Sequence, residues 1–325
     1  MNTRRTFIKK SLLAGAALSL TPLPACVTMG TTTAKVPMKS GEIGKALVLW
    51  YSQTGNTNRC GRVLANTLAQ SGIRVESFDL RDFQREKTGD FDLLVLGSPV
   101  FYYDIPAYVK DFIRSLPDLK GIPVASYVTF GGPEGNQDNA NYSILQLLSE
   151  QSGVPVAGKS FQSISSFPMG WSKDKVDEKI WNARHLPDEK TFESVRDYAR
   201  GILVQIKANQ SRVFVKKLTL RESYTFFDLE WWTKILVKNH SLVRENCVEC
   251  GACVEKCPVN AIDLASYTVD TDSCVLCFGC LNNCEYQAVH MEYSRENLIG
   301  FQDFLKQHHL EVYLPAELQT KLPTG

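Results

Sequence analysis

Lys45-Ala-Leu-Val-Leu-Trp-Tyr-Ser-Gln-Thr-Gly-Asn-Thr57 decides the fold of the N-terminal half. Residues 45–51 form a short apolar run, of the kind buried on both faces in a parallel sheet. The hydroxyl- and glycine-rich residues Ser52 to Thr57 follow at once. Then Cys60, Val63, Leu64, Thr67 and Leu68 recur at i, i+3, i+4, i+7 and i+8, which is one face of a helix. The expected order is strand, polar loop, helix. Such a loop can hold a phosphate. Ser52, Thr54 and Thr57 offer hydroxyls, Gly55 lets the backbone come close, and the first helical N–H groups favour an anion. Lys and Arg are absent within the loop, so the cradle is expected to be neutral. It is neither a Walker loop nor a G-x-G-x-x-G turn.

The pattern continues outward. Ile73–Asp79 alternates as an edge strand does. Asp92–Gly97 is an apolar strand leading into Ser98-Pro-Val-Phe-Tyr-Tyr103. Pro123–Phe130 is another, leading into Gly131-Gly132-Pro133-Glu134-Gly135-Asn136. Helices are expected at 106–116 and 139–151, and a last strand from Val154 to about Ile164. Phe192, Val195, Ala199, Ile202, Leu203 and Ile206 mark a closing amphipathic helix. Residues 165–187, with Phe167, Met169, Trp171 and Trp181, form an insertion that either shapes a substrate entrance or pads the surface. Residues 44–208 are thus expected to be an α/β domain with a doubly wound, parallel, five-stranded sheet. Its three loops follow strand C-termini, where open α/β sheets bind ligands.

Ser52-x-Thr-Gly-Asn-Thr57 resembles the phosphate loop of flavodoxins, and the two later loops match in order. The resemblance implies FMN. It places Ser52, Gln53, Thr54, Gly55, Asn56 and Thr57 at the phosphate. Around the isoalloxazine it places Ser98, Pro99, Val100, Phe101, Tyr102 and Tyr103, with Phe130, Gly131, Gly132 and Gly135. One of Phe101, Tyr102 and Tyr103 could stack on the ring, with ordinary packing as the alternative. Cys60 falls on the apolar helix face and reads as core.

Ten cysteines is many for 325 residues, and eight of them lie between Cys247 and Cys284. Cys247, Cys250, Cys253 and Cys257 give C-x-x-C-x-x-C-x-x-x-C, with Pro258 next. Cys274, Cys277, Cys280 and Cys284 repeat the spacing 27 residues later, and Ala261-Ile262 matches Ala288-Val289. Dense C-x-x-C runs point to metal or iron–sulfur ligation rather than disulfides. Zinc is the alternative, but it takes four ligands, usually as two separated pairs. Two such runs resemble the bacterial two-cluster ferredoxins. In that arrangement the fourth cysteine of each run ligates the other [4Fe–4S] cluster. The implied sets are Cys247, Cys250, Cys253 with Cys284, and Cys274, Cys277, Cys280 with Cys257. Glu285 departs from the usual Pro, and its carboxylate would slightly disfavour reduction. A small α+β ferredoxin domain is expected over 241–293, and a tail over 294–325 with Leu298, Phe301 and Leu305 at helical spacing. The connecting segment 209–240 carries Phe226, Phe227, Trp231 and Trp232, expected to pack the domains together, with membrane contact as the alternative. His185, His240, His290, His308 and His309 form no ligand pattern.

Thr3-Arg4-Arg5-Thr6-Phe7-Ile8-Lys9, followed by an apolar stretch, resembles a twin-arginine export signal. Leu23-Pro24-Ala25-Cys26 resembles a lipoprotein cleavage box, although Pro24 departs from the usual residue there. The resemblance implies export of the folded protein and a membrane anchor on Cys26; a retained anchor helix is the alternative. Residues 1–26 then form the signal, and the Thr-, Ser-, Gly- and Lys-rich 27–43 a flexible tether. The formal charge is +1; without the first 25 residues it is 32 basic against 35 acidic. Neither balance suits a nucleic-acid binder.

Together the halves resemble flavodoxin–ferredoxin fusion proteins. Clusters carry single electrons and a flavin one or two, so an electron carrier between redox partners is the first expectation. The partners would be redox proteins or a quinone. A reductase of a quinone or other small oxidant, and a non-catalytic redox sensor or assembly subunit, are the alternatives. No general acid or nucleophile stands out, so no catalytic residue is assigned.

Overall fold

The computed structural model describes residues 27–32, 37–39, 42–132, 137–171, 176–218 and 229–319. The twin-arginine motif, Cys26, Gly135, Phe226 and Phe227 lie outside them. Among the described residues, no helix is long and apolar enough to cross a membrane.

The chain begins with β1 (Val27–Thr32), followed by β2 (Lys45–Trp50), β3 (Arg74–Asp79), β4 (Leu93–Pro99), β5 (Pro123–Phe130) and β6 (Val154–Gln162). Strands β2 to β6 form one parallel sheet in the order β3-β2-β4-β5-β6. The order reverses between β2 and β4, so the switch-point crevice opens at the C-terminal ends of these two strands. Strand alternation explains the two cores. Ala46, Val48 and Trp50 face the helices Asn56–Gln70 and Glu189–Lys207, with Cys60, Leu64, Val195 and Ile202 buried between. Leu47, Leu49 and Tyr51 face the helices Ala107–Arg114 and Asp138–Glu150, packing on Phe112, Ile113, Ile144 and Leu148. Burial pushes the Cys60 thiol up to about 12, which keeps it an inert part of the core.

Part of the expected tether is a strand. β1 pairs antiparallel with β7 (Phe214–Leu218), with a bulge between Met29 and Thr31. Val27, Thr28, Thr31 and Thr32 are β-branched, and pairing with β7 gives their backbone a ladder that composition alone hides.

β8 (Val237–Leu242), β11 (Val289–Tyr293) and β12 (Glu296–Asn297) form a small antiparallel sheet, and β9 (Ile262–Asp263) pairs with β10 (Thr268–Val269). The cysteine loops pack on it. The two halves repeat in backbone as well as in sequence. Short helices Ala252–Glu255 and Gly279–Asn282 occupy equivalent places. Left-handed residues Glu249, Gly251, Asn260 and Tyr267 recur as Leu276, Phe278, Gln287 and Ser294. The N–H of Ala261 donates to Cys257 Sγ at 3.1 Å, and that of Ala288 to Cys284 Sγ at 3.2 Å.

The insertion and the tail pack on one another. Trp171 stacks on Phe304 with centroids 4.3 Å apart and donates its indole N–H to the Ile299 carbonyl at 2.9 Å. Ile164, Ile180 and Phe301 complete that cluster. Farther along, Arg196 holds Glu317 at 2.7 Å. Trp231 and Trp232 do not pack the domains together. They are 52% and 46% exposed on the helix Leu229–Leu236, set edge to face 5.0 Å apart. Among the described residues, hydrogen bonds from Gln53, Arg81 and Asn282 join the two parts.

Candidate functional site: a flavin-type cavity walled by a cysteine loop

The loop after β2 turns at Gly55, which sits at φ +89, a conformation an L side chain rarely adopts. Gly55 is the N-cap of the helix Asn56–Gln70, and no side chain caps that helix end. Its first N–H groups therefore remain available to an anion. Ser52 Oγ is buried with no hydrogen-bond partner. An orphaned buried hydroxyl beside uncapped N–H groups fits a bound phosphate. Besides Gln53, described below, two side chains of the expected set are committed elsewhere. Asn56 Nδ2 donates to the Ile164 carbonyl at 3.1 Å, and the hydroxyls of Thr57 and Thr129 share a hydrogen bond of 2.8 Å. They shape the cradle from behind.

The cradle is not neutral. Arg59, one turn into the helix, folds back so that Nη1 lies 2.8 Å from where a side chain on Gly55 would begin. Its Nη2 donates to Asn56 Oδ1. Burial lowers the guanidinium to about 10, which leaves it charged near neutrality. Positions 52–57 carry no charge themselves, but the helix returns the side chain at 59 to the loop.

A cavity of about 430 Å³ opens beside this loop, within the usual range for small-molecule sites. Ser52, Gln53, Thr54, Asn56 and Thr57 line one end; Pro99, Val100, Phe101, Tyr102, Tyr103, Phe130, Gly131 and Gly132 line the rest. Ser98 does not reach it. It is fully buried beneath, donating its hydroxyl to the Pro99 carbonyl at 2.9 Å. Tyr102 and Tyr103 hold φ of 49 and 70 in a turn closed by paired backbone hydrogen bonds between Phe101 and Asp104. Such local strain is characteristic of ligand clamps. A Cβ on Gly131 would lie 2.3 Å from Ser165 Cα, so only glycine lets the insertion press this close.

Two further walls close the cavity, and only the one from the cysteine motif is absent from the sequence expectations. The insertion contributes Ser165, Ser166, Phe167, Gly170, Asp177, Lys179 and Ile180, and the second cysteine motif contributes Leu276, Cys277 and Phe278. Between the two parts, Gln53 Nε2 donates to the Cys277 carbonyl at 2.5 Å and Asn283 Nδ2 to the Gln53 carbonyl at 3.1 Å. Arg81, paired with Asp79, donates to the Glu255 carbonyl at 2.7 Å. Fully buried Asn282 donates to the Ser166 carbonyl at 2.9 Å.

A second, small cavity is lined by Cys257, Cys274, Cys277 and Cys280 together with His240, Val259 and Met291. Cys257 thus sits with the three cysteines of the other motif. Cys253 has Cys284 and Cys247 as electrostatic neighbours; desolvation is the main cause of its raised pKa. Burial pushes the Cys277 thiol up to about 12, and the Gly279 N–H and the Gln53 amide act against it. A thiolate at such a place needs a cation beside it. Among the described residues, no three His, Cys, Asp or Glu side chains converge on one metal ion. His240 was missed in the sequence. Its ring nitrogens lie 3.7 Å from Cys274 Sγ and 3.5 Å from Cys280 Sγ. Burial lowers it to about 4, so the ring is neutral with one N–H to offer sulfur. Nothing in the spacing of the histidines marks it; strand β8 brings it there. The second motif is the enclosed one, with Cys274 and Cys280 buried, whereas Cys250 of the first is exposed.

Residues 47–161 match the flavodoxin domain family, and residues 241–263 match the 4Fe-4S binding domain family. The N-terminal half is flavodoxin-like. Similar solved structures include a flavodoxin from the domain Archaea (17% identity, TM-score 0.37, 50% of this chain and 99% of that one). Flavodoxin 2 from Bacillus cereus is 18% identical, with a TM-score of 0.39 over 50% of this chain and 99% of that one. Rubredoxin oxygen:oxidoreductase from Desulfovibrio gigas is 17% identical, with a TM-score of 0.36 over 54% of this chain and 38% of that one. No curated protein matches the chain. The flavodoxin-like domain suggests FMN and the 4Fe-4S domain a [4Fe–4S] cluster. The two domains together support an electron-transfer protein with flavin and iron–sulfur centres.

Proposed function

We propose that this chain relays electrons between two [4Fe–4S] clusters and FMN. Cys277 carries the proposal: it belongs to the second cysteine set and also lines the flavin-type cavity. FMN, when bound, supplies one- and two-electron chemistry and the clusters one-electron steps. The chain's own residues set the order. Cys274, Cys277, Cys280 and Cys257 would hold the cluster on the flavin side. Cys247, Cys250, Cys253 and Cys284 would hold the outer one, with exposed Cys250 facing a redox protein or quinone system. Ser52, Thr54, the uncapped N–H groups and Arg59 would take the phosphate; loops 99–103 and 130–132 would flank the ring.

The N-terminal motifs support an address at the cell envelope, reached by twin-arginine export and held on the membrane surface through lipidated Cys26. Anaerobic purification, flavin extraction, iron and sulfide analysis and EPR of the reduced protein test the relay. About eight irons and one FMN per chain, with two cluster signals, are expected. Zinc in place of iron, or no flavin uptake, ends the proposal. A second reading, reduction of a quinone or other small oxidant at the flavin, is favoured by the insertion walling the cavity with Phe167, Asp177 and Lys179. Steady-state turnover with soluble quinones separates it from pure carriage.

A further inference from the structure

Gln53 stands at the junction of both candidate cofactor sites. Its loop is the phosphate cradle, and its side chain leaves that loop for the cysteine motif. Nε2 donates to the Cys277 carbonyl at 2.5 Å. Gly279 packs beside it: a Cβ there would be in ordinary van der Waals contact with Gln53 Nε2 at 3.5 Å and with Cys277 Sγ at 3.6 Å. From the other side, the Gln53 carbonyl accepts Asn283 Nδ2 at 3.1 Å. Gln53 is buried.

We infer that Gln53 tunes the flavin-side cluster and holds the two cofactor sites in register. The inference rests on the relay proposed above. Reduction adds one electron to a cluster and places negative charge on its sulfurs. A donor on the backbone carbonyl of a ligand cysteine offsets that carbonyl's negative end beside the cluster, so it stabilises the reduced form, and removing it lowers the potential. Because the donor is anchored in the phosphate loop, FMN binding and cluster reduction also share a residue through which each can feel the other. Gln53 touches neither reacting centre as a chemical participant; it is a positioning residue.

The test uses the full-length holoprotein, titrated with redox mediators and followed by EPR, as wild type, Gln53→Leu and Gln53→Glu. At full iron and FMN content, the reduced-to-oxidised ratio of one cluster at its wild-type midpoint should fall about fivefold in Gln53→Leu. It should fall further in Gln53→Glu, whose carboxylate repels the added electron. The other cluster should stay unmoved. Should Gln53→Leu fail to fold, Gln53→Glu, which has the same shape, carries the test alone. Unchanged potentials, or equal shifts in both clusters, overturn the inference. A wild-type protein lacking either cofactor defeats the relay instead, and the iron and flavin assays on that sample tell the two failures apart.

Discussion

Phe278 takes, in the second half-repeat, the left-handed backbone position that Gly251 takes in the first, with φ of 59 against 77. Glycine adopts this conformation freely, whereas a bulky residue pays about 1–2 kcal/mol for it. The return on that strain is placement. Phe278 is buried, lines the flavin-type cavity and meets Phe167 edge on at 5.8 Å. Phe278→Gly restores the relaxed backbone but removes the wall. The variant should keep its iron and lose FMN affinity about tenfold or more, read by flavin fluorescence titration.

Arg59→Gln tests the charge beside the phosphate loop. FMN affinity should fall about tenfold, as expected for one charge-assisted hydrogen bond. Riboflavin, which lacks the phosphate, should bind as well as to the wild type. Equal losses for both ligands would mean that Arg59 only supports the loop through Asn56.

Cys257→Ala tests the crossed ligation. Cys257 shares its cavity with Cys274, Cys277 and Cys280. The flavin-side cluster should be damaged while the outer one persists, visible as loss of one EPR component. Loss of the outer cluster alone would reverse the assignment.

Asp188 caps the helix Glu189–Lys207. Its carboxylate accepts the Thr191 N–H at 2.8 Å, and its own N–H donates to the Thr191 hydroxyl at 3.4 Å. Burial raises its pKa, but the Thr191 hydrogen bonds outweigh it, and the net shift is downward. A lowered folded-state pKa gives stability that is present above the ordinary aspartate value, about 4, and is lost as pH falls through the folded one. Asp188→Ala should cost about 1 kcal/mol near neutrality. The gap from wild type should close in acid, measured by urea unfolding across pH.

Much of this was legible in the sequence. Parallel strands buried on both faces, such as 45–50 and 93–99, read as unbroken apolar runs, and the cysteine spacing states the repeat outright. What escaped depends on long-range placement. Gln53 meets Cys277 only because the domains dock. His240 nears Cys274 and Cys280 only because β8 pairs with β11. Arg59 returns to Gly55 through one helical turn. Trp231 and Trp232 misled because large aromatics usually mark interfaces, while here hydrogen bonds from Gln53, Arg81 and Asn282 join the parts.

The β1–β7 ladder imposes an order of assembly. Val27 leaves the ribosome early, and its partner Leu218 only after every strand of the five-stranded sheet has been made. Closing so long a loop is a late event that needs both ends in hand. A nascent chain halted before Phe214 would therefore own a finished sheet and an unfastened leading end.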